Sequence, residues 1–516
     1  MKEPRTPAER WCSFALAVMF LARWPLRARH LYEWDSAQYA LGTLDFDIYK
    51  HQPHPPGYPI WIALLKGIHL VIPDLNTVQV VAAFVTCAAA VWVAHRFARE
   101  LFGGALALFV AACVAFSPPV VVASVTANTY PVDLLGSAAL GWIAARMWSG
   151  ERRLAPLAWA LLALMAGARQ TGAVVLVPVV GLATVRACRL DPRAWAKSAL
   201  AGGIVFTAWY VPVGLMHGGI AKLQAYAAAD ARFFFSRWSS LHGAPARVHR
   251  VMLLDAARWA MMMIGPSLLV TAIAFGATRK ADRDESGAHR PAHRLGPTFF
   301  LAWALPNLAM CALHCPKPGY LLGSLPPLVF GCAALLRRAG ASLPAWTALA
   351  TAAASVVFAS VDYGDLTYDR VSLSGVRQAD DGTRAILEAI PSGAHEEDTT
   401  LVISLGGVSW FGPSYRTLMV DLDTELWFFP SGSERRQARH HAEALVRAEQ
   451  HVIPARIRRV VWVCDAFHAI PAAIAGFEGT RALSKTSSSC VWETDIGTRG
   501  LRLSFPLEDF TVSVAR

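Results

Sequence analysis

The chain alternates long apolar segments with short polar ones from its start to about residue 361. Many apolar runs approach ~20 residues, the length that an α-helix needs to cross a bilayer. Helices are the expected form, because a segment in lipid must satisfy its own backbone hydrogen bonds. The pattern predicts about eleven membrane spans, at residues 11–27, 76–95, 104–123, 130–148, 154–168, 171–186, 198–217, 258–277, 296–314, 319–336 and 343–361.

The apolar segment 58–72 is short for a span and contains Lys66 and His69, so it is predicted to be a helix lying at the membrane surface. The positive-inside rule supports this assignment. If 58–72 is not a span, the connections rich in arginine and lysine lie on the cytoplasmic side, together with the N-terminus. If it were a span, every later connection would move to the opposite side of the membrane. The segment 28–75 and the chain after residue 361 are therefore predicted to face outward.

Two regions depart from the rule. Arg23, Arg27 and Arg29 lie near the outer end of the first span, and the outer connection 217–257 is basic. This connection mixes aromatic residues with arginines, as an amphipathic helix at the outer interface would. It either covers an active site or is a solvated connector.

The composition changes after residue 361. Strand patterns appear in "TTLVISL", "MVDLDTELWFF", "RIRRVVWVCDA", "SSCVWETD" and "LRLSFPL", with helical patterns at 433–450 and 467–477. Alternation of strands and helices predicts a small α/β domain. The chain is thus divided into a transmembrane domain at 1–361, with its first outer loop at 28–75, and an extracytoplasmic α/β domain at 362–516.

The composition agrees with a membrane protein. Hydrophobic residues make up 54% and charged residues 16%, with a mean hydropathy of +0.37, whereas soluble proteins are about 25% charged. A large soluble all-α protein is the alternative, and the number and length of the apolar runs speak against it. The net charge of +11 is scattered between the runs, so the expected partners are membrane lipids and not nucleic acid.

The nine cysteines show no metal-ligand spacing. Cys464 and Cys490 could form a disulfide if their region lies outside the cytoplasm. Cys311 and Cys315, one helical turn apart, are a second candidate pair.

The polar stretch "WDSAQYALGTLDFDIYKHQPHPPGYP", residues 34–59, carries the candidate chemistry. Asp45 and Asp47 could present two carboxylates to a divalent metal ion, or they could form a solvated turn. Asp35 begins a short helix, where a carboxylate either caps the helix or serves catalysis. His54 precedes a proline corner and either binds substrate or caps that turn.

The order of these segments along the chain resembles that in the GT-C superfamily of integral membrane glycosyltransferases. The likeness is greatest to the branch with aminoarabinose, O-mannosyl and rhizobial galacturonosyl transferases, and to bacterial family-39-like proteins. The segments that carry it, within residues 10–360, are "EWDSAQYALG", "HQPHPPGYPIWIALLKGI", "HRFARELFGG", "GARQTGAVVLVP" and "KPGYLLGSLPPL".

The resemblance implies a polytopic enzyme of the cytoplasmic membrane that moves a sugar, with inversion, from a polyprenyl-phosphate donor to a glycan, lipid or protein acceptor on the outer face. It implies that Asp35 is the essential general base of the first outer loop. The leaving phosphate needs positive charge. His54, Arg169, His314, Lys317 and Tyr320 are the candidates for binding substrate and phosphate. Some relatives use a metal and others do not, so metal dependence stays open at Asp45 and Asp47.

Two other classes of function remain as alternatives. A transporter or lipid flippase would be expected to show repeated halves and broken helices at mid-membrane, whereas the candidate polar residues here cluster at the outer face. A scaffold built around the C-terminal domain would leave the loop at 34–59 unexplained.

Overall fold

The structure, a computed structural model, describes most of the chain up to residue 389 and mainly strands beyond it. The described residues are 6–31, 34–189, 191–243, 245–278, 295–314, 318–338, 343–361, 372–389, 400–405, 426–429, 450–453, 458–465, 475–485, 489–495, 501–504 and 511–514.

The described residues are mostly helical up to residue 389. The helices are α1 Pro7–Leu21, α2 Trp34–Leu44, α3 Pro59–His69, α4 Leu75–Phe102, α5 Gly104–Phe116, α6 Pro118–Val125, α7 Pro131–Trp148, α8 Ala155–Ala168, α9 Gln170–Cys188, α10 Pro192–Met216, α11 Ile220–Trp238, α12 Ala246–Thr278, α13 Pro297–Leu313, α14 Pro318–Leu321, α15 Leu325–Arg338, α16 Trp346–Ser360 and α17 Leu373–Ala389. Eight strands follow, β1 Thr400–Leu405, β2 Leu426–Phe429, β3 Gln450–Ile453, β4 Arg459–Asp465, β5 Thr480–Lys485, β6 Ser489–Asp495, β7 Leu501–Ser504 and β8 Thr511–Val514.

The chain forms two compact units. One comprises Met1–Arg27 and Tyr58–Ser374, and the other comprises Ala28–Gly57 and Gly375–Arg516. The predicted boundary at residue 361 stays a prediction.

Helices fall on each of the predicted spans. Five stretches of the described residues are long and apolar enough to cross a bilayer: Leu75–Phe102, Gln170–Cys188, Pro192–Met216, His249–Ala274 and Gly319–Arg338. The bent pair α5 and α6 makes a sixth if it is one span, and α13 and α16 are shorter apolar helices. The protein is therefore a multi-pass membrane protein, as the sequence predicts. The segment 58–72 forms the short helix α3, and the connection 217–257 forms α11 and the start of α12.

Small residues let the helices of the first unit approach closely. A Cβ at Gly141 in α7 would lie 2.2 Å from the ring of Trp303 in α13. The indole N–H of Trp303 donates to Ser137 Oγ at 2.9 Å, and Ser137 donates to the Gly323 carbonyl at 2.6 Å. This buried chain of hydrogen bonds ties α7 and α13 to the turn before α15.

A proline pair breaks the run of helix between α5 and α6, with a bend of 59°. Pro119 has no N–H to give to the Ala115 carbonyl four residues earlier. Arg23, at the end of α1 and only 4% exposed, donates to that carbonyl instead, from Nη1 at 2.9 Å and Nη2 at 3.0 Å. The guanidinium thus replaces a missing backbone donor inside an apolar core.

The second unit contains a mixed sheet in the order β2-β1-β4-β6-β5. Strand β1 is parallel to β2 and β4, and β6 is antiparallel to β4 and β5. The strands β3, β7 and β8 form a separate antiparallel sheet. The five strands predicted from the sequence are present as β1, β2, β4, β6 and β7, which confirms a small sheet near the C-terminus.

The remaining predictions for this region have different outcomes. β3, β5 and β8 were not predicted, and the helices predicted at 433–450 and 467–477 lie almost wholly outside the described residues. The register of β4 and β6 places the Cα atoms of Cys464 and Cys490 opposite each other.

Candidate active site

Asp35 is the second residue of α2. A carboxylate in the first turn of a helix is stabilised by the helix dipole. The residues that follow, Ser36 to Ala40, are all at most 2% exposed, whereas the side chain of Asp35 is 24% exposed. Asp35 therefore stands at the accessible end of an otherwise buried helical turn.

His54 lies beside this carboxylate. Its Nδ1 is 3.8 Å from Asp35 Oδ1 and 2.6 Å from Gln38 Oε1. Gln38 Oε1 also accepts from the backbone N–H of His54 at 2.9 Å. An amide oxygen only accepts hydrogen bonds, so Nδ1 carries the proton and a neutral His54 has its lone pair on Nε2. The predicted residues Asp35 and His54 are thus brought together, with Gln38 fixing the imidazole.

A tight backbone approach holds the loop on α2. Asp47 and Gln52 exchange two backbone hydrogen bonds of 2.9 Å. A Cβ at Gly42 would lie 2.9 Å from the carbonyl carbon and oxygen of Gln52. Gly42 is therefore needed where the loop crosses the helix that carries Asp35.

Asp45 and Asp47 both face a lysine. Lys50 Nζ lies 2.8 Å from Asp45 Oδ2 and 3.6 Å from Asp47 Oδ2. Asp47 Oδ1 also accepts from the N–H groups of Tyr49 and Lys50 and caps a 3-10 turn. One ammonium thus lies beside both carboxylates and offsets part of their negative charge. In the described ranges no three His, Cys, Asp or Glu side chains gather as metal ligands, and the metal assignment stays a prediction.

Arg169, in the first unit, is the N-cap residue of α9 and forms a buried ion pair. Its Nε donates to Asp133 Oδ2 at 2.6 Å, and its Nη1 donates to Thr129 Oγ1 at 2.6 Å. The side chains of Arg169 and Asp133 are 3% and 2% exposed. Such a pair has a large desolvation cost and needs close geometry to offset it.

Two tyrosines complete the surroundings of this guanidinium. Its carbon lies 4.3 Å from the ring centre of Tyr130 and 4.9 Å from that of Tyr320, within the range of cation–π attraction. The structure thus brings together the predicted residues Arg169 and Tyr320. Gly319 permits the packing, because a Cβ there would lie 2.3 Å from the Tyr130 ring.

The Arg169 group keeps unused hydrogen-bonding capacity. Arg169 Nη2 makes no hydrogen bond with any residue that the structure describes. Within the same described ranges, Asp133 Oδ1 and Gln170 Nε2 are buried atoms without a partner. Buried polar atoms in native proteins nearly always have partners, so a bound ligand or water is expected beside this group.

His314 has other neighbours. Its Nδ1 lies 2.9 Å from Ser239 Oγ, and the Nδ1 of His242 lies 3.1 Å from the same oxygen. Ser239 donates its proton to the Leu313 carbonyl at 3.2 Å, which makes both Nδ1 atoms the donors to Oγ. Burial lowers the pKa of His314, and the nearby His242 lowers it further.

Sequence reasoning missed several of these partners. Asp133, Thr129, Gln38, Ser239 and His242 were not predicted as site residues. Asp133 had one usable signal, since a carboxylate at the start of an apolar span is costly unless it is paired. Lys317 lies outside the described residues, and its predicted role stays a prediction.

Comparison with known proteins identifies the fold. The structure resembles ArnT from Cupriavidus metallidurans bound to undecaprenyl phosphate, with a TM-score of 0.57, 13% sequence identity, and coverage of 94% of this chain and 97% of that chain. The apo state of the same ArnT gives a TM-score of 0.57 at 14% identity, covering 95% and 99% of the two chains. The archaeal oligosaccharyltransferase AglB from Archaeoglobus fulgidus, in complex with an inhibitory peptide and a dolichol-phosphate, gives 0.43 at 13% identity, covering 88% and 69%.

No protein-family model matches the sequence, and no curated protein matches it significantly. The structural likeness shows that the chain shares the fold of ArnT, which confirms the polytopic helical fold predicted from the sequence.

Proposed function

We propose that this protein transfers a sugar from a polyprenyl-phosphate carrier to an acceptor hydroxyl or amine at the outer face of the cytoplasmic membrane. The observation that supports it is the fold shared with ArnT over 94% of this chain and 97% of that one. The ArnT structure is bound to undecaprenyl phosphate, and the same class of lipid is proposed as the sugar carrier here.

Asp35 is proposed as the general base. Its carboxylate takes the proton from the acceptor as the acceptor's lone pair attacks the anomeric carbon. The bond from that carbon to the phosphate oxygen breaks on the opposite side, and its electrons remain on the polyprenyl phosphate. The sugar is therefore transferred with inversion. His54, fixed by Gln38 and 3.8 Å from Asp35, is proposed to contact the substrate beside the base.

The leaving phosphate gains negative charge, which fixed positive groups stabilise. Arg169 is proposed for this role because its Nε and Nη1 are occupied by Asp133 and Thr129 while Nη2 is not. Two of its three nitrogens hold the guanidinium still and the third is available to a phosphate oxygen, without reorganisation. His314, Lys317 and Tyr320 are the other candidates for donor binding. No step is assigned to a metal ion.

The proposed orientation follows from charge sidedness. The N-terminus is cytoplasmic, and residues 28–75 and the C-terminal domain are outside. A lipid-linked sugar that has crossed to the outer leaflet would then reach Asp35.

The decisive experiment uses the purified protein in nanodiscs with a total lipid extract from cells that express it. Mass spectrometry follows the loss of polyprenyl-phosphate-sugar and the gain of polyprenyl phosphate. Asp35→Asn is expected to abolish the conversion while membrane insertion stays normal. The matched control is Asp74→Asn, because Asp74 caps α4 by accepting from the Thr77 N–H at 2.7 Å.

The control separates the two interpretations of Asp35. In the first turn of α2 the carboxylate contributes about 0.3–1 kcal/mol through the helix dipole, so an aspartate with only this structural role tolerates the change to asparagine and a general base does not. Full activity of the Asp35→Asn variant would reject the general-base role. Movement of a solute across the membrane with no conversion of donor lipid would reject the transferase in favour of a transporter.

A further inference from the structure

A carboxylate far along the chain holds the segment that leads to Asp35. Asp380 Oδ2 accepts from the Arg29 N–H at 2.8 Å, and Asp380 Oδ1 accepts from the His30 N–H at 3.1 Å. The two oxygens of one carboxylate thus bind two successive backbone amides. Such charge-assisted bonds are among the stronger hydrogen bonds in proteins.

The position of Asp380 within α17 is unusual for an acidic residue. It lies four residues after Val376 and three before Thr383, which are 1% and 3% exposed, and this spacing places all three on one face of the helix. Burial raises the pKa of Asp380, and the amides of Arg29 and His30 oppose that shift. A carboxylate on the buried face costs free energy, so a role in holding these amides explains it better than packing does.

The segment that Asp380 holds leads directly to the proposed base. Arg29 and His30 lie five or six residues before Asp35 in the sequence, just ahead of α2. Ala28 and Leu31, on either side of them, are 1% and 4% exposed. The backbone at residues 28–31 is therefore fixed by a buried side chain at each end and by the Asp380 carboxylate between them.

We propose that Asp380 is a positioning residue, which fixes the backbone at Arg29 and His30 and thereby the orientation of α2 and Asp35. The C-terminal part of the chain would then help to set the geometry of the reaction. This proposal rests on the proposed function, since positioning matters only if Asp35 acts on the donor or acceptor.

The test compares Asp380→Asn with Asp381→Asn in the full-length protein. Asparagine has the shape of aspartate, but its amide offers one acceptor oxygen and turns an NH2 group toward one of the two amides. Asp381 is the neighbouring residue, is 64% exposed and pairs with Arg384 on the surface of α17. The control therefore changes the same charge on the same helix without touching Arg29 or His30.

Three measurements distinguish positioning from general destabilisation. Hydrogen exchange at the amides of Arg29 and His30 is expected to speed up about tenfold in Asp380→Asn, with α17 itself still protected. The turnover number with the lipid extract is expected to fall by about tenfold to a hundredfold, while the dissociation constant for undecaprenyl phosphate stays within twofold. Asp381→Asn is expected to match the wild type in all three.

Three results would overturn the proposal. These are equal turnover in the two variants, weaker binding of undecaprenyl phosphate as the main effect, or loss of exchange protection throughout α17. If the wild type converts no donor, the proposed function fails, and the exchange experiment then tests only whether Asp380 holds the Arg29–His30 backbone.

Discussion

The Nε of Arg169 donates to Asp133 Oδ2 at 2.6 Å, and both side chains are almost completely withdrawn from solvent. The pair joins the start of α9 to the first turn of α7, and two tyrosine rings flank it. Its charges compensate each other, so the pair can stay buried while one nitrogen of the guanidinium remains available.

Replacing one member of this pair should lower the stability of the protein more than replacing both. Asp133→Leu or Arg169→Met leaves an uncompensated buried charge, which costs about 3–5 kcal/mol. The double variant should be more stable than either single one, as measured by thermal unfolding in detergent. Arg152→Met is the control, because the Arg152–Asp191 pair is 3.4 Å long and exposed, and such pairs contribute about 1 kcal/mol or less. Additive losses in the double variant would contradict this account.

Gly319→Ala should disturb the tyrosines around Arg169. The new Cβ would lie 2.3 Å from the Tyr130 ring, and crowding of this kind costs about 1–3 kcal/mol. We expect a lower melting temperature and a clear loss of turnover. Gly331→Ala in α15 is the matched control, since nothing lies within 4 Å of its Cβ position and alanine favours a helix by about 0.5–1 kcal/mol. Equal behaviour of the two variants would show that Gly319 has no packing role.

His314, which is bonded to Ser239, should make stability depend on pH. Burial and His242 lower the pKa of His314, so folding disfavours its protonated form. The stabilisation is complete above the ordinary histidine pKa of 6.5 and is lost as the pH falls through the lowered value. His242→Asn removes one cause, so the melting temperature should drop less between pH 7.5 and pH 5.5 than in the wild type. His69→Asn, in α3, is the control and should leave that drop unchanged; a larger drop in His242→Asn would contradict the prediction.

The opposed positions of Cys464 and Cys490 predict a disulfide if the C-terminal domain is extracytoplasmic. Opposite residues of antiparallel strands have Cα atoms about 4.5–5.5 Å apart, within the range that a disulfide spans. Alkylation of unreduced protein followed by peptide mass spectrometry should find both cysteines unlabelled until a reductant is added. Cys87 and Cys113, buried free thiols, should be labelled without reductant once the protein is denatured. Two free thiols at Cys464 and Cys490 would argue against an oxidising compartment.

The sequence predicted the helices well because their signal is local. Each apolar run carries its own length and boundary residues, such as the prolines that begin α3, α7 and α13. The turn before α3 could be predicted equally well, because proline restricts its own backbone conformation and that of the residue before it. Asp35 and His54 lie on one short stretch of chain, so their proximity also followed from the sequence.

The partners of these residues could not be predicted in the same way. Asp133 is 36 residues from Arg169, and Asp380 is 351 residues from Arg29. A single carboxylate in a sequence does not show which distant group it will meet, since that depends on how the helices pack. Lys50 was visible beside Asp45 and Asp47, but the fold of the turn decided that its ammonium would lie between them.

The proline break between α5 and α6 makes the Ala115 carbonyl and the Arg23 side chain depend on each other. If alanines replaced Pro118 and Pro119, the helix would regain its own donors and straighten, and the Ala115 carbonyl would return to the helical ladder. Arg23 would then share or lose that acceptor and keep only Ser124 Oγ, at 3.3 Å, in an apolar interior. A change that completes the backbone hydrogen bonds of this helix would thus leave a buried charge less well paired, so the kink and the arginine depend on each other.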